Sequence, residues 1–145
     1  MKLYIDADGC PVIDAAIKTA EKYGIRCVIV CDSAHIFNRT DAEIIVVGTG
    51  ADSADFKLVN MIGKADIAVT QDYGLAAMCL AKSAFVLNQN GLVFTNDNID
   101  GLLLSRHTAK KLRNSGKKLK GPSKRTPQQD KDFIAALEQI IINNM

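Results

Sequence analysis

No stretch of this 145-residue chain approaches the roughly 20 consecutive apolar residues of a membrane-spanning helix, and its N-terminus lacks the basic-then-apolar layout of a secretory signal. Those absences point to the cytoplasm and to no membrane partner. Histidine is scarce: His35 and His107 are too few and too separated to form a metal site together, and both read as surface or ordinary polar residues. The four cysteines, Cys10, Cys27, Cys31 and Cys79, show no paired metal-ligand spacing. Cys27 and Cys31, with Val28, Ile29 and Val30 between them, share a strand face without making a zinc knuckle, so buried free thiols are expected. Cys10 is the exception to watch, because a helix N-terminus can lower a thiol pKa, although no His or Lys lies near it in sequence. Ser33 has no visible His–Asp pairing, which argues against a serine nucleophile.

What the chain does have is 48% apolar residues, enough for one core and a single domain over residues 1–145. Its organising stretch is the first eleven residues. Leu3-Tyr4-Ile5 reads as a short buried strand that Gly9 and Pro11 stop, which leaves Asp6 and Asp8 at its carboxyl end. If the extended conformation lasts that far, both carboxylates project to one side and repel. A divalent cation, a hydrogen-bonded proton or a basic side chain would each compensate them. Asp8 alone also suits a cap for the helix that follows.

That helix, Val12 to Tyr23, carries apolar residues at amphipathic spacing and ends at Gly24. Cys27 to Cys31 and Ile44 to Val47 read as strands covered on both faces, and Asp32-Ser33 puts another acid at a carboxyl end. Gly48-Thr49-Gly50 reads as a turn, since it lacks the rest of a dinucleotide fingerprint. A helix opens at Asp52-Ser53-Ala54-Asp55 and runs to about Ile62, with Phe56, Leu58, Val59 and Ile62 as its buried side. Ile67 to Thr70 is the fourth strand, and Gln71-Asp72-Tyr73-Gly74 leads from it into a helix, so that Asp72 repeats the position of Asp6. Ala84 to Leu87 and Leu92 to Thr95 flank Asn90-Gly91, a hairpin signal. Ile99 to about Asn114 is helical, and Thr126-Pro127-Gln128-Gln129 opens a last helix over about 127–143 through a capping box.

Strands and helices alternating at this spacing predict a three-layer α/β/α domain with a mostly parallel sheet, whose ligands bind at the carboxyl edge near the switch in strand order. Asp6, Asp8, Asp32 and Asp72 fall on that edge, and the helix of Asp52 and Asp55 begins there. Charge is divided along the chain. Residues 1–100 hold 8 Lys/Arg against 13 Asp/Glu, a net −5, whereas residues 101–145 hold 10 against 3, a net +7. From Arg106 to Arg125 no acid occurs, and the middle of that run, about 114–125, reads as a mobile basic loop. Such asymmetry suits a polyanion bound beside a cation-collecting site, although no aromatic interleaves the lysines to stack bases.

Three separate motifs carry a resemblance: Tyr4-Ile5-Asp6-Ala7-Asp8-Gly9-Cys10-Pro11-Val12, Gly50-Ala51-Asp52-Ser53-Ala54-Asp55, and Ala65-Asp66-Ile67-Ala68-Val69-Thr70-Gln71-Asp72-Tyr73-Gly74-Leu75-Ala76. Together with the late Gly121-Pro122 and Phe133, they resemble the bacterial YaiI/YqxD family of uncharacterised proteins over nearly the whole chain. That pattern is in turn similar to PIN-like domains, whose α/β/α fold gathers acids around Mg²⁺ or Mn²⁺ for phosphodiester cleavage. The resemblance gives Asp6 the role of the strand-one acid, Asp55 or Asp52 that of the helix acid and Asp72 that of the strand-four acid, with Asp97 as a weaker fourth. Asp8 is an addition from the family's own opening motif.

The leading functional expectation is therefore a metal-dependent nuclease or phosphodiesterase acting on RNA. Asp6, Asp8, Asp55 and Asp72 are its candidate catalytic residues, and these with Asp52 are its candidate metal ligands. Lys110, Lys111, Arg113, Lys117, Lys118, Lys120, Lys124 and Arg125 are candidates for contacting the phosphate backbone. Ile5-Asp6-Ala7-Asp8-Gly9 also resembles the opening of haloacid-dehalogenase-type phosphatases, with Asp6 as nucleophile and Asp8 as general acid, although a late Asp-Asp pair and a phosphate-binding lysine are missing. A non-catalytic RNA- or metal-binding module is the third alternative.

Overall fold

A computed structural model of the chain describes residues 1–32, 41–48, 53–116 and 124–145. Six strands and five helices occur among them: β1 (Lys2–Asp6), α1 (Ile13–Lys22), β2 (Arg26–Asp32), β3 (Glu43–Val47), α2 (Ser53–Met61), β4 (Ile67–Val69), α3 (Tyr73–Ala81), β5 (Phe85–Leu87), β6 (Val93–Phe94), α4 (Ile99–Asn114) and α5 (Pro127–Asn144). The fold is the expected α/β class. One sheet runs in the order β3-β2-β1-β4-β5-β6, parallel except for the antiparallel β5–β6 pair. After β3 the chain returns past β1 and β2 to lay down β4, so strand order reverses between β1 and β4. Crossovers of one hand then require α1 and α2 to lie on opposite faces, as they do.

Alternation along β1 divides the core. Leu3 and Ile5 face α1 and α5, packing with Ile17, Phe133 and Leu137. Tyr4 faces the other layer, where Leu58 of α2, Leu75 and Cys79 of α3 and Ile99 of α4 close over Val28, Val30, Ala68 and Val86. Phe133 and Leu137 are fully buried, and burial of each contributes roughly 1.5–3 kcal/mol. α5 is therefore part of the core. Its start is fixed by Gln129, whose side chain accepts the Thr126 N–H at 2.9 Å as the capping-box pattern predicts. No helix among the described residues is long and apolar enough to cross a membrane.

Two sequence expectations are corrected. The third strand is not covered on both faces: β3 is the sheet's edge, and Val46 is 45% exposed. Phe56 does not face the core: it stands 60% exposed, while Leu58 of α2 and Ile62 just beyond that helix turn inward. The expected hairpin around Asn90-Gly91 forms, with residues 88–92 as its loop. Asn88 organises that loop, its Oδ1 accepting from the N–H groups of Asn90 and Leu92 at 2.9 Å each. Gly91 has a φ of +86° and lies so close to α5 that a Cβ there would stand 2.6 Å from the Asp132 carbonyl oxygen.

Gly91→Ala is accordingly expected to lower stability by about 2–4 kcal/mol, combining left-handed backbone strain with a contact that only backbone movement relieves. Urea unfolding measures the loss. An unchanged midpoint would show that α5 does not clamp this loop.

Candidate functional site

The carboxyl ends of β1, β2 and β4 place their acids by the same alternation that builds the core. Asp6 continues the side of Tyr4, Asp32 that of Val28 and Val30, and Thr70 that of Ala68, so all three face the α2–α3–α4 layer. Asp6 is half-buried at the switch point. The Thr70 hydroxyl donates to Asp6 Oδ2 at 2.8 Å and accepts the Asp72 N–H at 3.0 Å, a single buried group joining the two acid-bearing segments. Asp72 is exposed and caps α3, its Oδ1 accepting from the Leu75 N–H at 3.1 Å. Gly74 leaves room for that oxygen, which would stand 3.2 Å from a Cβ. Across the switch point, Gln71 Nε2 donates to the Gly9 carbonyl at 2.9 Å and ties the two loops together.

Asp8 does not extend the strand. β1 ends at Asp6, the chain turns with the Cys10 N–H donating to the Ala7 carbonyl, and Asp8 Oδ2 accepts the Asp32 N–H at 3.3 Å. It nevertheless stays close enough for its charge to act on Asp6. Burial raises the Asp6 pKa most, the Thr70 hydrogen bond opposes that, and the negative charges of Asp8 and Asp72 raise it further. Burial pushes the Cys79 thiol up to about 12, aided by the charges of Asp6 and then Asp55. Asp55, in the first turn of α2, therefore acts electrostatically on the same region as Asp6.

Asp52 lies outside the described residues, as do Lys117, Lys118 and Lys120, the Thr49-Gly50 part of the expected turn, Ser33, His35 and Gly121-Pro122. Nothing further is described of the Arg113 side chain. Asp97 does not join the cluster. It follows β6, which runs antiparallel to β5 and carries the chain to the opposite edge of the sheet. Cys10 is not an activated thiol: burial raises its pKa, a backbone hydrogen bond from Val12 opposes this and the Asp6 charge adds to it. None of the four cysteines is joined in a disulfide.

The basic residues divide into two groups. Arg125 is committed within the chain, donating to Asp130 Oδ1 at 2.8 Å, Asn90 Oδ1 at 2.6 Å and the Gln89 carbonyl at 2.7 Å, so that it pins the start of α5 to the hairpin loop. Lys110, Lys111 and Lys124 are exposed. The position of α4 follows from one contact: the Arg106 guanidinium lies over the Tyr73 ring, 5.5 Å from its centroid, at the first residue of α3. α4 thus reaches the carboxyl edge at Arg106, and Lys110 lies about 6 Å further along the helix.

The donor set can be weighed for a cation. Aspartate oxygens are hard ligands, and Asp6 Oδ1 and Asp72 Oδ2 accept no hydrogen bond among the described residues. No group of three or more His, Cys, Asp or Glu side chains among those residues is arranged to hold a metal ion. Carboxylate oxygens from one or two aspartates are the donor type that Mg²⁺ takes alongside waters and phosphate oxygens. Thr70 and Gln71 are the site residues that the sequence reading missed. Their one signal is position, immediately after the fourth strand and before its acid.

The model of the YaiI/YqxD family of uncharacterised proteins matches residues 4–143. A UPF0178 protein of Exiguobacterium sibiricum is 48% identical over 141 residues, covering 97% of this chain and 96% of its own. Another from Clostridium acetobutylicum is 45% identical over 144 residues, covering 98% and 97%. A crystal structure of Rae1 (YacP) from Bacillus subtilis superposes with a TM-score of 0.44 at 14% identity, covering 80% of this chain and 84% of that one.

Two predictions follow from the geometry. Thr70→Val keeps the shape but strips Asp6 Oδ2 of its donor and the Asp72 N–H of its acceptor, so urea unfolding should show a loss of about 1–3 kcal/mol. Asp6 carries the opposite sign. Because its folded-state pKa is raised, the folded chain keeps the proton where the unfolded chain has released it, and stability falls as pH rises through that window. In the presence of a chelator, Asp6→Asn should therefore melt higher than the native chain at neutral pH. The difference should shrink as pH falls through the folded pKa and vanish below the ordinary aspartate range. Equal melting temperatures at neutral pH would refute this.

Proposed function

The chain belongs to the YaiI/YqxD family, and we propose that it is a divalent-cation-dependent phosphodiesterase that cleaves RNA at the carboxyl edge of its sheet. The observation that carries the proposal is the half-buried Asp6, held by Thr70 at the switch point while Asp8 and Asp72 load it with like charge. Carboxylates forced together at a ligand-binding edge raise the free energy of the empty protein and favour whatever positive charge arrives. Asp6 and Asp72 would hold Mg²⁺ or Mn²⁺ with waters and substrate phosphates completing the shell, and Asp55 would add negative potential and not a third ligand. When bound, the cation supplies Lewis-acid polarisation of the phosphate and a water of lowered pKa.

The chain's own residues do the rest. Thr70 fixes the Asp6 carboxylate, and the N-cap bond to Leu75 fixes that of Asp72, so both acids are positioned before substrate arrives. Asp8 holds the end of β2 against that of β1 and adds negative potential. Lys110, Lys111 and Lys124 would contact the RNA backbone beyond the edge, with Arg113, Lys117, Lys118 and Lys120 extending that contact. Arg125 serves instead to anchor α5.

Calorimetric titration with Mn²⁺, followed by cleavage of labelled single-stranded RNA, tests the proposal. Asp72→Asn is the informative variant, because Asn caps a helix as well as Asp and only the charge is lost. Both Asp6→Asn and Asp72→Asn should abolish Mn²⁺ binding and cut the cleavage rate by roughly a hundredfold or more while the fold persists. Replacing Lys110 and Lys111 with Gln should weaken RNA binding and reduce its salt dependence by about one phosphate contact per lysine. Cleavage that survives chelation, or is indifferent to Asp72→Asn, would overturn the assignment.

A further inference from the structure

Between the start of α3 and the middle of α4 lies a groove of about 410 Å³ lined by Tyr73, Leu102, Ser105 and Arg106. We propose that it is a nucleobase subsite, which receives an unpaired base of single-stranded RNA next to the phosphate held at the acidic edge. The inference deepens the nuclease reading and rests on it.

Several observations converge on a flat aromatic ligand attached to a phosphate. The volume is in the range of small-ligand sites. The Tyr73 ring is fixed, meeting Phe94 edge-on with centroids 5.5 Å apart and planes at 65°. Arg106 covers this ring without a carboxylate partner among the described residues, and its guanidinium makes no hydrogen bond among them. Its outer planar face and its N–H donors are thus available to a stacked base and to a phosphate oxygen. Leu102 supplies an apolar wall and Ser105 a hydroxyl.

Placement relates the groove to the acids. Tyr73 directly follows Asp72, so the groove adjoins the acid-bearing turn, and a base held against Tyr73 and Arg106 would leave its phosphate on the side of the acidic edge. Lys110 stands one helical turn beyond Arg106 on the same side of α4, where the next phosphate of the strand would pass. A base paired in a duplex cannot enter, because stacking between Arg106 and the groove wall requires it to be splayed from its partner. The subsite therefore selects single strands.

Fluorescence anisotropy in the presence of a chelator tests the subsite apart from cleavage. The probes are a labelled short oligouridylate, the same backbone with abasic residues, and a duplex of equal length. Arg106→Lys changes an exposed residue and keeps the charge but loses the planar face. It should weaken oligouridylate binding roughly tenfold and leave binding of the abasic strand unchanged. The native chain should bind the abasic strand and the duplex more weakly than oligouridylate. Tyr73→Leu, checked for its fold by circular dichroism, should reproduce the base-dependent loss. If Arg106→Lys weakens nothing, or the abasic strand binds as tightly, the subsite is overturned while Mn²⁺-dependent cleavage still stands. If the native chain neither binds nor cleaves RNA, the nuclease reading falls and takes the subsite with it.

Discussion

Repulsion among aspartates at the switch point is the constraint to which the surrounding structure answers. Asp6 cannot move away, because its backbone pairs with Val30 of β2 and its neighbour Ile5, fully buried, is paired with both β2 and β4. What holds its carboxylate is one hydroxyl, and Thr70 is itself fixed by its N–H bond to the Leu87 carbonyl. A side chain that donates to one acid and accepts from the backbone of another makes their separation a property of the sheet. Sheet register, set by core packing over both faces, thereby becomes site geometry.

The acids themselves were legible in the sequence because each follows an apolar run at a strand's carboxyl end. Asp6 and Asp72 obey that rule plainly, Asp6 closing β1 and Asp72 capping α3 just after the adjacent β4. Thr70 was not legible: a threonine ending a β-branched run is ordinary, and its bond to Asp6 crosses the whole β1-to-β4 excursion. Topology also decided what composition could not. Ile44 to Val47 has the residues of a central strand but sits at the edge, and Asp97 has the right chemistry but follows an antiparallel strand that leads away from the other acids.

Charge runs proved the least transferable signal, because a count of lysines and arginines does not say which are occupied. Arg125 belongs to the basic run in sequence, yet all three of its donor contacts bind α5 to the hairpin loop. Arg106 begins the same run and has the reverse character, with an aromatic ring beneath it and no carboxylate pairing with it among the described residues. The absence of aromatics among the lysines argued against base stacking from that segment alone. Folding supplies the aromatic from another helix, through a contact that no local pattern encodes.

An acidic edge and a basic helix are useful to a polyanion only if they lie within one screening length of each other. At about 0.1 M salt that length is roughly 10 Å, beyond which an exposed lysine no longer offsets the repulsion a phosphate meets at the aspartates. The ring contact between Arg106 and Tyr73 brings the basic helix to the acid-bearing turn, because Tyr73 directly follows Asp72 and Lys110 stands one turn beyond Arg106 on α4. Moving α4 outward by even one helix diameter, about 10 Å, would take its positive charge out of range of the acidic edge. On the proposed function, the packing of α4 against α3 is therefore part of the electrostatics of the site, and a substitution that loosened it would lose RNA binding before it lost the fold.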